Sequence, residues 1–142
     1  MMDVLLNVMR HADPRAVLWL KHKEKDSLSD RTMQSLLVEA AARGVDRGRV
    51  RWKLQSESKV AHLQETGMGG DLFLDTIRVN AVWTGFDMLW AGLPLLSITG
   101  ERMASRISAS LSASVGMGSG LAARSLKEYE DMAGELGAES RI

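Results

Sequence analysis

The chain predicts an α/β fold, a Rossmann-like parallel sheet with helices on both faces. Two observations carry that expectation. Apolar runs of strand length alternate with one-sided helical stripes along most of the 142 residues, and such alternation means parallel strands joined by helical crossovers. Residues 71–100, DLFLDTIRVNAVWTGFDMLWAGLPLLSITG, read as strand, irregular turn, helix and strand in direct succession. In an open parallel sheet, ligands sit where strands end and helix N-termini present free N–H groups. That corner holds Asn80, Thr84 and Asp87, a candidate site for a phosphate-bearing ligand.

The elements follow in order. Val4, Leu5, Val8 and Met9 make an i, i+1, i+4, i+5 stripe and predict a helix over 2–10. Asp13-Pro14 closes it, because proline disfavours helix in the residue before it. AVLWL (16–20) is a strand, and the charged run 21–30 a solvated loop. A helix over 31–43 turns Met33, Leu36, Leu37, Ala40 and Ala41 inward and stops at Gly44. A short strand lies near 49–52, and Ser56 caps a helix that ends in the glycines of 67–70. The strands 71–75 and 93–98 flank a helix over 84–92, stopped by Gly92 and Pro94. A helix over 102–115 turns Met103, Ile107, Leu111 and Val115 inward and leaves its serines on the other faces. After a flexible turn at 115–120, Ser125 and Glu128 form a capping box for the last helix, with Leu126, Tyr129, Ala133 and Leu136 inward.

Composition narrows the function classes. Residues 1–142 fit a single domain, with 45% apolar and 25% charged residues as in ordinary globular proteins. Eighteen basic and eighteen acidic side chains cancel, which argues against broad binding to nucleic acid or an anionic membrane. Without cysteine there is no disulfide framework, thiolate metal site or cysteine nucleophile. A reducing compartment, cytoplasm or nucleus, fits. The N-terminus lacks the basic segment of a secretory signal, and Asn80, Asp87 and Pro94 interrupt the stretch poorest in charge, so no membrane span is expected.

Most short motifs lead nowhere. Gly116-x-Gly118-x-Gly120 follows a helix and lacks a trailing lysine, while 67–70 precedes a strand, so neither glycine cluster is a nucleotide fingerprint. This disfavours a dinucleotide-dependent oxidoreductase. His11 and His22 read as solvent-facing; Lys59 and His62 share a helix face, without the further ligands a zinc site needs. No nucleophile elbow appears among the serines, and Trp90 reads as core. Asp87 is harder to dismiss. In the first turn of an otherwise apolar helix it is either an acid favoured by the helix dipole or an acceptor for ligand hydroxyls.

At this point a family resemblance enters. Leu74-Asp75-Thr76, then Asn80, Thr84, Gly85, Asp87, Leu89, Trp90, Gly92, Pro94, then Gly100-Glu101 and Ala104-Ser105-Arg106 follow a long linear pattern. That pattern, L-D-T, N-G-H-T-T-G-x-D-x-L-W-x-G-x-P and G-E-x-x-A-S-R, resembles the carboxyl-terminal half of the catalytic region of the O-linked N-acetylglucosamine transferases and the SPINDLY-like O-fucosyltransferases. AVLWL (16–20), Lys59-Val60-Ala61-His62 and KEYEDMAGELG (127–137) fall where family counterparts would. The resemblance implies half of a two-domain GT-B glycosyltransferase, binding UDP-GlcNAc or another nucleotide sugar without a metal or other cofactor. Protein serine and threonine hydroxyls would be the acceptors.

By the same resemblance, Lys59 and His62 lie at the donor nucleotide, Asn80 and Thr84 belong to the diphosphate loop, and Asp87 takes the ribose hydroxyls; no catalytic residue is assigned. The family's glycine, histidine and first threonine are replaced here by Ala81, Val82 and Trp83. Val82 donates no hydrogen bond, and Trp83 puts a large ring where a phosphate would approach. The family also places a strand ahead of the first helix, centrally in the order 3-2-1-4-5-6, so a sheet lacking that first strand is expected. The other catalytic half and helical repeats would be partners outside this chain. The alternative is a catalytically inactive remnant that serves as a binding or interaction module.

Overall fold

The computed structural model describes residues 1–22, 27–118 and 120–139. Among them α1 (Met2–His11), β1 (Leu18–His22), α2 (Ser27–Ala42), β2 (Val50–Leu54), α3 (Lys59–Gly69), β3 (Phe73–Leu74), α4 (Val82–Trp90), β4 (Leu95–Ile98), α5 (Ile107–Ser114), β5 (Ala122–Ala123) and α6 (Leu126–Glu139) follow one another. Every strand pair is parallel. Leu18 lies opposite Val50, Phe73 opposite Leu95 and Ser97 opposite Ala122. The α/β class and parallel pairing are as the sequence predicts.

The sheet is in two pieces: β1 pairs with β2, and β4 sits between β3 and β5. Each piece grows outward from β1 or β3, so the chain reverses direction between them, where a doubly wound sheet has its switch point. Helix α1 joins the pieces from one side. Its Val4 and Val8 enter a cluster with Leu96, Ile98, Ala123, Tyr129 and Ala133. Its Leu5, Leu6 and Met9 enter a second cluster with Leu18, Ala40, Val45 and Val50. Leu74 packs against both. An apolar stripe wider than one side lets a single short helix serve two cores.

Several boundaries differ from expectation for identifiable reasons. β1 begins two residues late and runs on through Lys21 and His22, part of the stretch expected to be a loop. There the His22 ring stacks on Trp52 at 5.2 Å, while Lys21 reaches into the site described below. Residues 27–30 of that stretch lie in α2, and 23–26 fall outside the described residues.

Helix α3 is capped by Ser58, whose Oγ accepts from the Ala61 N–H, rather than by Ser56. Its end, at Gly69 with Gly70 as C-cap, falls within the glycines expected to stop it. A Cβ on Gly67 would stand 2.5 Å from the Ala91 carbonyl oxygen, and one on Gly69 2.5 Å from the Trp19 ring. Gly67 and Gly69 thus also let neighbours approach the end of the helix closely.

Helix α5 is the sharpest reversal. Met103 is 83% exposed and Val115 56%, whereas Ser108 and Ser112 are fully buried. The serine face turns inward because small residues let α5 lie close and because Ser108 has specific polar partners, named below. Trp90, expected in the core, is 76% exposed and stacks on Phe86. Leu126 is likewise exposed. The short strand β5 carries no period and was not legible in the sequence. At the start of α6 Ser125 Oγ accepts from the Glu128 N–H as expected, but Glu128 Oε2 accepts from Arg124 N–H.

Candidate functional site

The site is built on the loop between β3 and α4, and its foundation is Asp75. This residue directly follows β3, and its N–H donates to the Leu96 carbonyl at 3.0 Å. The side chain is 1% exposed. Oδ1 accepts from the Thr76 and Ala81 N–H groups at 2.7 and 2.8 Å, and Oδ2 from Ser108 Oγ at 2.6 Å. Burial pushes the carboxyl above its ordinary pKa, and the bonds from Ser108, Ala81, Thr76 and Asn80 pull against that rise. Tyr129, wholly buried, donates its hydroxyl to the Asp75 carbonyl at 3.1 Å. Burial first and the Asp75 charge second push the phenol well above its ordinary value.

Asn80 completes the loop. Its Nδ2 donates to the Thr76 carbonyl at 3.0 Å, and its Oδ1 accepts from the Ser108 N–H at the start of α5 at 3.2 Å. Its own N–H donates to the Ala104 carbonyl. With 3% exposure and both ends of the amide engaged, Asn80 shapes the loop. Thr76 Oγ1 closes the same turn on the Val79 carbonyl.

This loop delivers the N-terminus of α4. The helix begins at Val82, two residues earlier than the sequence suggests, with Ala81 as a cap residue that offers no side-chain bond. The first N–H groups of an α-helix have no partner within it, so Val82, Trp83 and Thr84 present donors outward. Thr84 is exposed. Val82 is 40% exposed and Trp83 82%, so neither is a packing residue.

Asp87 lies in the second turn of α4 rather than the first, and the helix-dipole reading for it falls away because that effect fades within one turn. It is held instead by Lys59, Nζ to Oδ1 at 3.0 Å, with side-chain exposures of 71% and 22%. That ion pair joins the start of α3 to α4. His62, one turn along α3 from Lys59, is buried at 7% exposure. Burial first, then the Lys21 charge, hold its pKa below the ordinary 6.5, while Asp87 and Glu65 act the other way.

Thus the structure gathers Lys59, His62 and Asp87 between α3 and α4, beside the open helix end that carries Thr84. Three residues to which the sequence assigned no site role support them. Asp75 and Ser108 anchor the loop, and Lys21 reaches the His62 ring. The acid closing a buried strand was a usable signal for Asp75; nothing in the charged run around Lys21 distinguished it.

Parallel strands joined by helical crossovers, with the reversal between β1 and β3, define the class: a Rossmann-like α/β domain. The chain belongs to glycosyl transferase family 41, whose model matches residues 1–142. It is 33% identical over 131 residues to the probable UDP-N-acetylglucosamine–peptide N-acetylglucosaminyltransferase SEC of Arabidopsis thaliana, covering 92% of this chain and 12% of that protein. It is 28% identical over 139 residues to the UDP-N-acetylglucosamine–peptide N-acetylglucosaminyltransferase of Caenorhabditis elegans, covering 98% and 11%. A mutant of the Thermobaculum terrenum O-GlcNAc transferase superposes with a TM-score of 0.81 at 29% identity, over 96% of this chain and 25% of that one. The chain therefore spans about an eighth of the length of these curated relatives. Among the described residues no helix is long and apolar enough to cross a membrane.

Proposed function

We propose that this chain is the donor-binding part of a protein O-GlcNAc transferase, taking UDP-GlcNAc and serving transfer of N-acetylglucosamine to serine and threonine hydroxyls. The observation that carries the reading is the convergence of Lys59, His62 and Asp87 beside the uncapped first turn of α4. In this reading the free N–H groups of that turn and the Thr84 hydroxyl receive the diphosphate, which the helix end favours by its partial charge. Asp87 accepts from the ribose diol, exchanging part of its bond with Lys59 for the ligand. Lys59, released toward the nucleotide, adds positive charge near the phosphates. Asn80 contributes by fixing the loop. Oriented donors of this kind stabilise charge on the leaving diphosphate in the transition state. No metal is required for that step, and the acceptor and remaining catalytic groups come from the rest of the transferase.

Calorimetry with uridine diphosphate checks the donor site. Binding that persists in chelator and falls by tenfold or more in Asp87→Asn supports it. A wild-type chain that binds no uridine diphosphate at millimolar concentration, and gains none in the double variant Val82→His, Trp83→Thr, removes the assignment. The second reading, an inactive module, is favoured by the first turn of α4, where Val82 offers no side-chain donor and Trp83 sets a large ring. It predicts no sugar transfer even when the other catalytic half is supplied in trans.

A further inference from the structure

Lys21 and Lys53 act on the His62 ring, Lys59 stands one turn before it on α3, and two of these three lysines are neutralised. Lys59 pairs with Asp87 at 3.0 Å, and Lys53 with Glu65 at 3.6 Å. Lys21 has no carboxylate at ion-pair distance among the described residues. Its ammonium is aimed at neutral acceptors instead: Nζ lies 3.3 Å from His62 Nδ1 and donates to Thr66 Oγ1. Thr66 is 6% exposed and passes its own proton on, donating Oγ1–H to the His62 carbonyl at 2.6 Å. The directions of this network are fixed by its ends. A carbonyl only accepts, so the threonine hydroxyl must donate to it and accept from the lysine. An ammonium only donates, so His62 Nδ1 must carry a lone pair.

We propose that Lys21 is a positioning residue that locks His62 in the neutral tautomer protonated at Nε2, so that this N–H is the ring's donor to the bound nucleotide. The tautomer rests on Lys21 and Thr66 alone, whereas the last clause rests on the donor-site reading above. A histidine's ligand-facing nitrogen is set by what its other nitrogen meets. Here that second group is a cation, which both selects the tautomer and opposes protonation of the ring. The groups facing the ring are Lys21 from β1, Lys53 from β2, Glu65 from α3 and Asp87 from α4. Burial holds Lys21 itself below its ordinary pKa, with Lys53 adding to that effect and Glu65 countering it. The lock therefore weakens at alkaline pH, where the ammonium loses its proton and the amine can accept from Nδ1–H.

The test is nitrogen-15 NMR of the histidine rings in the whole chain, with His62→Gln supplying the assignment. At neutral pH the expected pattern is a bare Nδ1 and a protonated Nε2 on His62. In Lys21→Met, which keeps the buried stem, the ring should become a tautomer mixture with its pKa raised by about one unit, the lower end for loss of a neighbouring charge. Lys21→Arg should restore the tautomer. A wild-type His62 protonated at Nδ1 overturns the proposal without any variant. So does a Lys21→Met ring unchanged in both tautomer and pKa. Uridine diphosphate binding is read separately. Loss of tenfold or more in Lys21→Met, alongside the tautomer change, supports the coupling to the ligand. A tautomer change with wild-type affinity overturns that coupling, and a wild-type chain that binds no uridine diphosphate overturns the donor reading while leaving the lock measured.

Discussion

At the scale of single residues, the site depends on groups that never face a ligand. Ser108 gives Asp75 Oδ2 its bond and offers its backbone N–H to Asn80. Ser108→Ala keeps the helix and the backbone bond but leaves one oxygen of a buried carboxyl unpaired. A cost of about 1–3 kcal/mol is expected, the penalty for orphaning a buried polar group, measurable as a lower midpoint in urea. His62 makes a pH prediction with a definite sign. Its folded pKa lies below the ordinary 6.5 because burial and Lys21 oppose the charged ring. The unfolded chain therefore binds the proton first. The associated stability is present above about pH 6.5 and drains away as the pH falls through the lower folded value. Urea midpoints from pH 8 down to 5 should show this slope, and His62→Gln should remove its share of it.

At the scale of elements, glycine position decides between opposite outcomes. Gly67 sits in α3 with the Ala91 carbonyl where its Cβ would go. Gly67→Ala should lower stability by about 1–3 kcal/mol, the cost of overpacking, although alanine is the better helix former. Gly134 in α6 has nothing within 4 Å of the corresponding point. Gly134→Ala should raise stability by roughly 0.5–1 kcal/mol through propensity alone. Thermal unfolding of the two variants distinguishes close packing from helix chemistry as the reason for each glycine. The period of α1 and the stop at Gly44, whose φ is 76°, were legible in the sequence, because apolar stripes and left-handed caps are local devices. The inward face of α5 was not. A stripe of Met103, Ile107, Leu111 and Val115 looks like a core face until a neighbouring carboxyl demands the serines.

At the scale of the molecule, the division of the sheet into β1–β2 and β3–β4–β5 makes a prediction about stability. No described strand pairs with the other edge of β1 or β3, and α1, Leu74 and the contacts of α3 with α4 tie the two halves together. Unpaired edge groups that are shielded from water cost free energy. An added N-terminal segment, a strand-length apolar run of five residues joined by a short loop to α1, should raise the melting temperature. A version with proline at alternate positions, unable to donate to both neighbours, should not. Equal melting temperatures for the two would show that neither edge takes a strand.

The sequence by itself determined the α/β class, the parallel pairing, the positions of most helices and the residues of the α3–α4 corner. Period, caps and a long linear motif are properties of neighbouring residues in the chain. Only the tertiary structure decided what each polar residue does. It spent Asn80 on the loop, paired Asp87 with Lys59, buried His62 against Lys21 and made Asp75 the anchor. Burial, hydrogen-bond partners and charge neighbours come from segments far apart in sequence, and those three quantities fix whether a side chain holds the fold or meets a ligand.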